Sequence, residues 1–157
     1  MPKLSAGVLL YRVVDGVVEV LIVHPGGPFW ARKDDGAWSI PKGEYELGEP
    51  PWDAARREFA EELGSEVPDG PRADLGEVKQ SGKVVTAFAV RGDLDVSEIR
   101  CNTFELEWPR GSGRIQHFPE VDRAAWLPVA AARPKLLKGQ QALLDRLLAQ
   151  LDGGSRA

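Results

Sequence analysis

Short apolar runs separated by turn residues recur along most of the chain, and this pattern predicts β-strands more readily than a bundle of helices. The first two runs are rich in β-branched residues and meet at Asp15-Gly16, a pair that favours a tight hairpin. A second hairpin is predicted around Ser81-Gly82. The predicted strands are, in chain order, residues 4–14, 17–24, 38–40, 75–80, 83–91, 104–108 and 124–128.

Two segments have helical spacing instead. Residues 51–63 follow Pro50 and precede Gly64, and prolines and glycines are typical of a helix start and a helix end respectively. Residues 138–151 carry leucines along one side and predict a closing helix. The order of strands and helices predicts an α/β fold with a mixed sheet covered by helices. We expect one domain, residues 1–152, followed by a frayed tail, residues 153–157.

Composition and charge restrict the classes of protein to which this chain can belong. The 157 residues are 43% hydrophobic and 28% charged, as in ordinary soluble globular domains. The net charge of −4 argues against binding a nucleic-acid backbone, and no apolar run approaches the ~20 residues that span a bilayer. No signal peptide is evident in the first residues. The single cysteine, Cys101, excludes an intramolecular disulfide and fits a reducing compartment, so we expect a cytoplasmic protein.

The first predicted helix carries an unusual cluster of acids. Its apolar stripe consists of Trp52, Ala55, Phe59 and Leu63. Along the edge of that stripe lie the three carboxylates Glu58, Glu61 and Glu62. Like charges one turn apart, and acids near a helix C-terminus, both destabilise a helix. A divalent cation would offset this repulsion, and a set of carboxylate oxygens favours Mg²⁺ or Mn²⁺.

Residues 43–65 have the pattern G-x5-E-x7-R-E-U-x-E-E-x-G-U, where U is a bulky apolar residue. This pattern resembles the Nudix box, and the chain resembles the Nudix hydrolases. One position departs, because Ser65 stands where an apolar residue normally packs beneath the box. The resemblance implies an α/β/α sandwich with a mixed β-sheet. It also implies divalent-metal-dependent cleavage of a nucleoside diphosphate linked to another moiety.

The resemblance further implies roles for single residues. The expected metal ligands are Glu58, Glu61 and Glu62 of the helix, the carbonyl of Gly43 and an acid from a later loop. For that later acid Glu120 is the first candidate, with Glu105 and Glu107 as alternatives. The expected catalytic residues are Glu58, Glu61, Arg57 and Glu49. Arg57 would orient the carboxylates while paired to Glu49, and one box carboxylate or the later acid would be the general base.

The residues that precede the box bear on the substrate. The sequence Pro41-Lys42-Gly43 resembles Nudix enzymes that act on dinucleoside polyphosphates or diphosphoinositol polyphosphates, and Lys42 would place a positive charge at the mouth of the metal site. In residues 26–33, Phe29 and Trp30 can stack on a base, while Arg32 and Lys33 can bind phosphate. The alternative is that the two aromatic residues cap the core. A second loop, residues 108–114, has a similar make-up, and for it we favour solvated arginines.

The leading hypothesis is a divalent-metal-dependent hydrolase of a dinucleoside polyphosphate such as diadenosine tetraphosphate. Within the enzymes, the alternative is a nucleoside triphosphate or ADP-ribose pyrophosphatase. An alternative of another class is a non-catalytic nucleotide sensor on the same fold, against which the intact carboxylates argue. We expect a small-molecule nucleotide as the partner, no nucleic acid and no membrane, and a monomer or homodimer.

Overall fold

The first two apolar runs form the centre of a six-stranded mixed sheet in a computed structural model, which describes residues 3–155. The strands are β1 (Lys3–Val14), β2 (Val17–Pro25), β3 (Lys42–Glu44), β4 (Arg72–Gln80), β5 (Lys83–Arg91), β6 (Thr103–Glu107), β7 (Ile115–Pro119) and β8 (Val121–Pro128). The main path of the sheet is β4-β5-β1-β2-β8, and β3 pairs with the start of β1. The β1–β5 pair is parallel, whereas β6 and β7 form a separate antiparallel hairpin.

Helices cover both faces of this sheet. They are α1 (Pro51–Leu63), α2 (Val129–Lys135) and α3 (Gln141–Ser155), with short 3-10 turns at Val96–Glu98 and Lys138–Gln140. Because side chains alternate along a strand, Leu9 of β1 packs on the side of α2 and α3 while Leu10 packs on the side of α1. Two apolar layers therefore enclose the sheet, which confirms the α/β/α sandwich. None of the helices in residues 3–155 has the length and apolarity needed to cross a bilayer.

The strongest local signals correspond to the observed elements. Helix α1 spans the predicted residues and ends at Gly64, whose left-handed backbone (φ of 73°) lets its N–H reach the carbonyl of Ala60. Both predicted hairpins form, and Asp15, Gly16, Ser81 and Gly82 all have the positive φ that their tight turns need.

Several predicted boundaries were wrong. Residues 38–40 form only isolated bridges, from Trp38 to Leu136 and from Ser39 to Val23, and the strand of this region lies at β3 instead. Strand β7 and helix α2 were not predicted: β7 forms by pairing with β6, and α2 is short and contains Pro134. Strands β4 and β8 each begin three residues earlier than predicted.

The closing helix also differs from its prediction. Residues 138–140 form a 3-10 turn before α3 begins at Gln141. Helix α3 then continues to Ser155, through the first part of the segment predicted to be a frayed tail. The last two residues of that segment, Arg156 and Ala157, lie outside the described residues.

Candidate active site

Strand β3 and helix α1 bring the two ends of the acidic motif together. Both pack on β1: Gly43 pairs with Ala6, and Phe59 of α1 is fully buried beneath the sheet. A Cβ atom built on Gly43 would lie 2.0 Å from the carboxylate carbon of Glu58. Glycine is therefore needed here because the Glu58 carboxylate lies directly against the backbone of β3.

Arg57 connects the carboxylates of the motif. Its Nε and Nη2 atoms donate to the two carboxylate oxygens of Glu49 at 3.2 and 3.0 Å, and its Nη1 donates to Glu58 Oε1 at 2.7 Å. The same Nη1 lies 3.6 Å from Glu61 Oε1. The hydrogen bonds to Glu49, together with those to Glu58, raise the pKa of Arg57 above its ordinary value. This geometry lets one guanidinium orient Glu58 while Glu49 holds it in place.

Glu62 is the most strongly perturbed carboxylate of the site. Its Oε1 accepts a hydrogen bond from the backbone N–H of Lys42 at 3.2 Å. Burial raises the pKa of Glu62 to about 8, and the N–H of Lys42 only partly opposes this shift. The negative charges of Glu58 and Glu120 raise the pKa further. A bound cation would relieve this unfavourable environment.

Glu120 joins the carboxylates of α1 from the far side of the chain. Its N–H donates to the carbonyl of Asn102 at 2.9 Å, and the N–H of Asn102 donates to the carbonyl of Glu61 at 3.3 Å. Burial and the charge of Glu61 raise the pKa of Glu120, and burial and the same charge raise the pKa of Glu58. Glu120 therefore lies in the electrostatic field of the acidic helix.

The two alternative acids have other partners. Glu105 Oε1 lies 3.8 Å from His117 Nε2 across the β6–β7 hairpin. Glu107 Oε1 accepts the N–H of Gly111 at 2.6 Å in the turn that follows β6. These contacts engage both residues on the hairpin, so Glu120 is the better candidate for the later acid.

A cleft of about 320 Å³ opens beside the carboxylates. It is lined by Val23, Pro25, Trp30, Ala37, Ser39, Lys42, Glu62, Gln80, Lys83, Glu120, Val121 and Leu137. Burial and the neighbouring charge of Lys83 lower the pKa of Lys42. One cleft thus contains carboxylates for a cation and two lysines for phosphate oxygens.

The loop residues predicted to bind substrate separate into two groups. Trp30 lines the cleft, packs partly against the core, and has the Lys33 ammonium 5.1 Å from the centre of its ring. Phe29 is 48% exposed and contacts Trp108 instead, and Arg32 is exposed to solvent. Trp30 therefore lies both at the cleft and against the core, whereas Phe29 does not cap the core.

Sequence reasoning missed Gln80, Lys83 and Gln140. The first two line the cleft, and the buried Gln140 donates to Gln80 Oε1 at 2.7 Å and to Ser39 Oγ at 2.9 Å. The N–H of Ile40 in turn donates to Gln140 Oε1 at 2.9 Å. The parallel pairing of β5 with β1, which puts Lys83 beside Lys3, has no local signal that could have revealed it.

The residues of this site fit a hard divalent cation. The available donors would be the carboxylate oxygens of Glu58, Glu61, Glu62 and Glu120, and donors of this kind favour Mg²⁺ or Mn²⁺ over zinc. Within residues 3–155, no group of three or more Asp, Glu, His or Cys side chains is arranged to hold a metal ion. Glu58 Oε1 lies 2.7 Å from Arg57 Nη1, so its carboxylate is paired within the motif.

Comparisons with known proteins agree with this architecture. A family model described as NUDIX domain matches residues 1–148. The chain is 28% identical to an RNA pyrophosphohydrolase of Rhodospirillum rubrum over 97% of this chain and 93% of that protein. It is 31% identical to an RNA pyrophosphohydrolase of Brucella anthropi over 71% of this chain and 74% of that protein.

Two solved structures illustrate the shared fold. An Ap4A hydrolase of C. elegans superimposes with a TM-score of 0.60 at 19% identity, covering 96% of this chain and 99% of that one. The NUDIX domain of Shewanella oneidensis NrtR, complexed with ADP ribose, gives a TM-score of 0.64 at 17% identity, covering 96% and 89%. At these identities the similarity shows the fold alone.

Proposed function

The chain belongs to the Nudix family and is a hydrolase of nucleotide-linked phosphoanhydrides, and from this premise we propose that its substrate is a dinucleoside polyphosphate such as diadenosine tetraphosphate. One observation carries the proposal: the same cleft is lined by the carboxylates Glu62 and Glu120 and by the cations Lys42 and Lys83. A polyphosphate with more than two phosphates can use both lysines while its scissile phosphate lies by the carboxylates.

In this proposal, the carboxylates of Glu58, Glu61, Glu62 and Glu120 hold the cation, Mg²⁺ or Mn²⁺, with the backbone of Gly43 beside them. When bound, the cation supplies positive charge for the phosphate oxygens and polarises a water molecule. Arg57 keeps Glu58 turned toward Gly43 through hydrogen bonds that Glu49 supports. Arg57 and Glu49 are therefore positioning residues.

The attacking water also needs a proton acceptor. Glu61 and Glu120 are the two exposed carboxylates of the site, so both can be reached by a solvent molecule. Single replacements by glutamine distinguish them, because the general base should shift the pH profile of kcat as well as its height.

The substrate is held by groups outside the carboxylate cluster. Lys42 and Lys83 contact the phosphate chain, and Lys33 adds a third cation above the ring of Trp30. Trp30, which lines the cleft and is only partly buried, stacks on one base, since base–aromatic stacking contributes about 1–3 kcal/mol.

A second candidate is the 5′-triphosphate end of RNA. It is favoured by the two relatives at 28% and 31% identity, which are both named RNA pyrophosphohydrolase. The net charge of −4 gives a long RNA chain little non-specific attraction, so we rank this substrate second.

A substrate panel tests these proposals. The purified protein is incubated with MgCl₂ or MnCl₂ and diadenosine tetraphosphate, ATP, ADP-ribose or a 5′-triphosphate RNA oligomer, and kcat/KM is measured for each. The Glu58→Gln protein, prepared in parallel, controls for contaminating phosphatases. We expect the highest kcat/KM with diadenosine tetraphosphate and no turnover in EDTA.

The other outcomes identify the alternatives. A preference for ATP or ADP-ribose would make the protein a pyrophosphatase of those compounds, and a preference for the RNA would support the second candidate. Binding without turnover of any compound would indicate a nucleotide sensor.

A further inference from the structure

Two loops that are far apart in the sequence meet at one surface patch. The ring centres of Phe29, which follows β2, and Trp108, which follows β6, lie 5.5 Å apart in an edge-to-face contact. The guanidinium carbon of Arg110 lies 5.7 Å from the centre of the Phe29 ring. These three residues, here called the aromatic patch, form a cluster that neither loop contains by itself.

The aromatic patch is open to solvent, and hydrogen bonds hold the turn between β6 and β7 that contains Trp108 and Arg110. Phe29 is 48% exposed, and Arg110 is exposed as well. The N–H of Trp108 donates to the carbonyl of Arg114 at 3.0 Å, and Gln116 Nε2 donates to the carbonyl of Trp108 at 2.6 Å. A turn whose backbone is already hydrogen-bonded loses little conformational freedom when a ligand binds to it.

The aromatic patch adjoins the cleft. Phe29 is followed directly by Trp30, which lines the cleft. At the other end of the loop, the N–H of Gly26 donates to the carbonyl of Glu120 at 3.0 Å, and Gly27 packs against the ring of Phe104 in β6. The loop, the base of the β6–β7 hairpin and Glu120 therefore form one continuous rim.

We propose that the aromatic patch binds the second nucleoside of the substrate, the one distant from the cleaved bond. This inference rests on the proposed function. Trp30 offers a stacking surface inside the cleft, and Phe29 with Trp108 offers another on its rim, so the two ends of a dinucleoside polyphosphate would each find an aromatic partner. Arg110 supplies a positive charge for the phosphate next to the second nucleoside. The aromatic patch would then favour dinucleotides over mononucleotides.

Two substrates that differ only in the second nucleoside provide the test. Diadenosine tetraphosphate has it and adenosine 5′-tetraphosphate lacks it. For Trp108→Ala, and separately for Phe29→Ala, we expect kcat/KM on diadenosine tetraphosphate to fall by about 5- to 150-fold, while kcat/KM on adenosine 5′-tetraphosphate stays within about twofold. Arg110→Ala should show the same selectivity.

Matched variants separate binding from folding. Ile115→Ala removes an exposed apolar side chain from the other face of the same hairpin and should leave both substrates unaffected. Trp108→Phe keeps a ring and should restore most of the loss seen with alanine. If Trp108→Ala lowers the melting temperature of the protein, Phe29→Ala and Arg110→Ala still decide the question, because both residues are exposed.

Equal losses on the two tetraphosphates would overturn the proposal, and so would losses confined to a 5′-triphosphate RNA.

Measuring binding by calorimetry in EDTA distinguishes a failure of the second-nucleoside site from a failure of the proposed function. The parent should bind diadenosine tetraphosphate more tightly than adenosine 5′-tetraphosphate, and Trp108→Ala should abolish the difference. If the parent binds the two compounds with different affinities but does not hydrolyse diadenosine tetraphosphate, the hydrolysis of dinucleotides is refuted and the second-nucleoside site is retained. Equal affinities in the parent would refute the site itself.

Discussion

At the residue scale, Glu62 has the least favourable environment for its charge. Burial raises its pKa from 4.5 to about 8, so the folded protein binds the proton of Glu62 more tightly than the unfolded chain does. The contribution of this group to stability is therefore complete below pH 4.5 and is lost as the pH rises to about 8. A cation that binds the ionised form reverses this disadvantage.

The Glu62→Gln substitution should uncouple activity from stability. The amide oxygen can still accept the N–H of Lys42, so the fold is kept while kcat falls by orders of magnitude. Without metal at pH 9, we expect the free energy of unfolding of the variant to exceed that of the parent by on the order of 1–4 kcal/mol, because the neutral amide replaces a buried charge. At pH 5 the parent and the variant should be similar. Urea unfolding at both pH values measures this.

The control is Glu46→Gln, which neutralises an exposed acid of the same motif. It should leave both kcat and the pH dependence of stability unchanged. Near-parental kcat for Glu62→Gln at saturating MgCl₂ would remove Glu62 from the proposed ligands.

Lys42 gives a second prediction at this scale. Burial and the charge of Lys83 lower the pKa of Lys42, because both disfavour its charged form. An anionic ligand in the cleft would stabilise that charged ammonium. We expect Lys42→Met to lower kcat/KM on diadenosine tetraphosphate more than on ADP-ribose, which has only two phosphates. Lys3→Met, at an exposed lysine of β1, serves as the control. Equal losses on both substrates would show that Lys42 does not sense the length of the phosphate chain.

At the element scale, the contact of β3 with α1 determines the direction of the Glu58 carboxylate. The space for that carboxylate exists because residue 43 has no side chain. We expect Gly43→Ala to lower kcat at least ~10-fold and stability by about 1–3 kcal/mol, because the added methyl group displaces Glu58. The double variant Gly43→Ala/Glu58→Ala tests the cause. It should regain stability without activity, and failure to regain it would assign the loss to the strand itself.

The turn Lys138–Gln140 connects α3 to the wall of the cleft through one side chain. Gln140 is fully buried and satisfies the N–H of Ile40 while it donates to Ser39 and Gln80. We expect Gln140→Leu to lower the free energy of unfolding by about 1–3 kcal/mol, since the N–H of Ile40 loses its partner. Gln150→Leu, on the exposed side of α3, is the matched control. Equal stability of the two variants would show that water or a rearranged backbone satisfies Ile40.

At the scale of the whole molecule, cation binding and folding are coupled. The carboxylates come from α1 and from Glu120, which lies between β7 and β8, so they are near one another only in the folded chain. At a free cation concentration 100 times Kd, the gain in stability is about 2.7 kcal/mol. For a domain of this size that gain raises the melting temperature by roughly 5–10 °C.

Thermal unfolding across a MgCl₂ titration measures this coupling. The melting temperature of the parent should rise with the concentration of MgCl₂, whereas that of Glu62→Gln should rise much less. Potassium chloride at matched ionic strength controls for screening of surface charge. Identical shifts in both proteins would place the cation elsewhere.

The sequence by itself determined those features that depend on near neighbours in the chain. Helix α1 and the two hairpins follow from prolines, glycines and periodicity within a few residues, and the same spacing puts Glu58, Glu61 and Glu62 along one edge. The resemblance of residues 43–65 to the Nudix box then supplied the fold and the reaction class, which the family match supports.

Only the tertiary structure decided which distant residues share the site. The acids that follow the box, such as Glu105 and Glu120, have no sequence signal that marks one of them for the site, and the pairing of β6 with β7 is what separates them. Lys83 reaches the cleft through a parallel strand pair. Phe29 contacts Trp108 through the β6–β7 hairpin, of which the sequence pattern predicted only the first strand. The shifted pKa of Glu62 depends in the same way on what packs around it. Long-range pairing and desolvation are properties of the whole packed chain, so no local pattern can encode them.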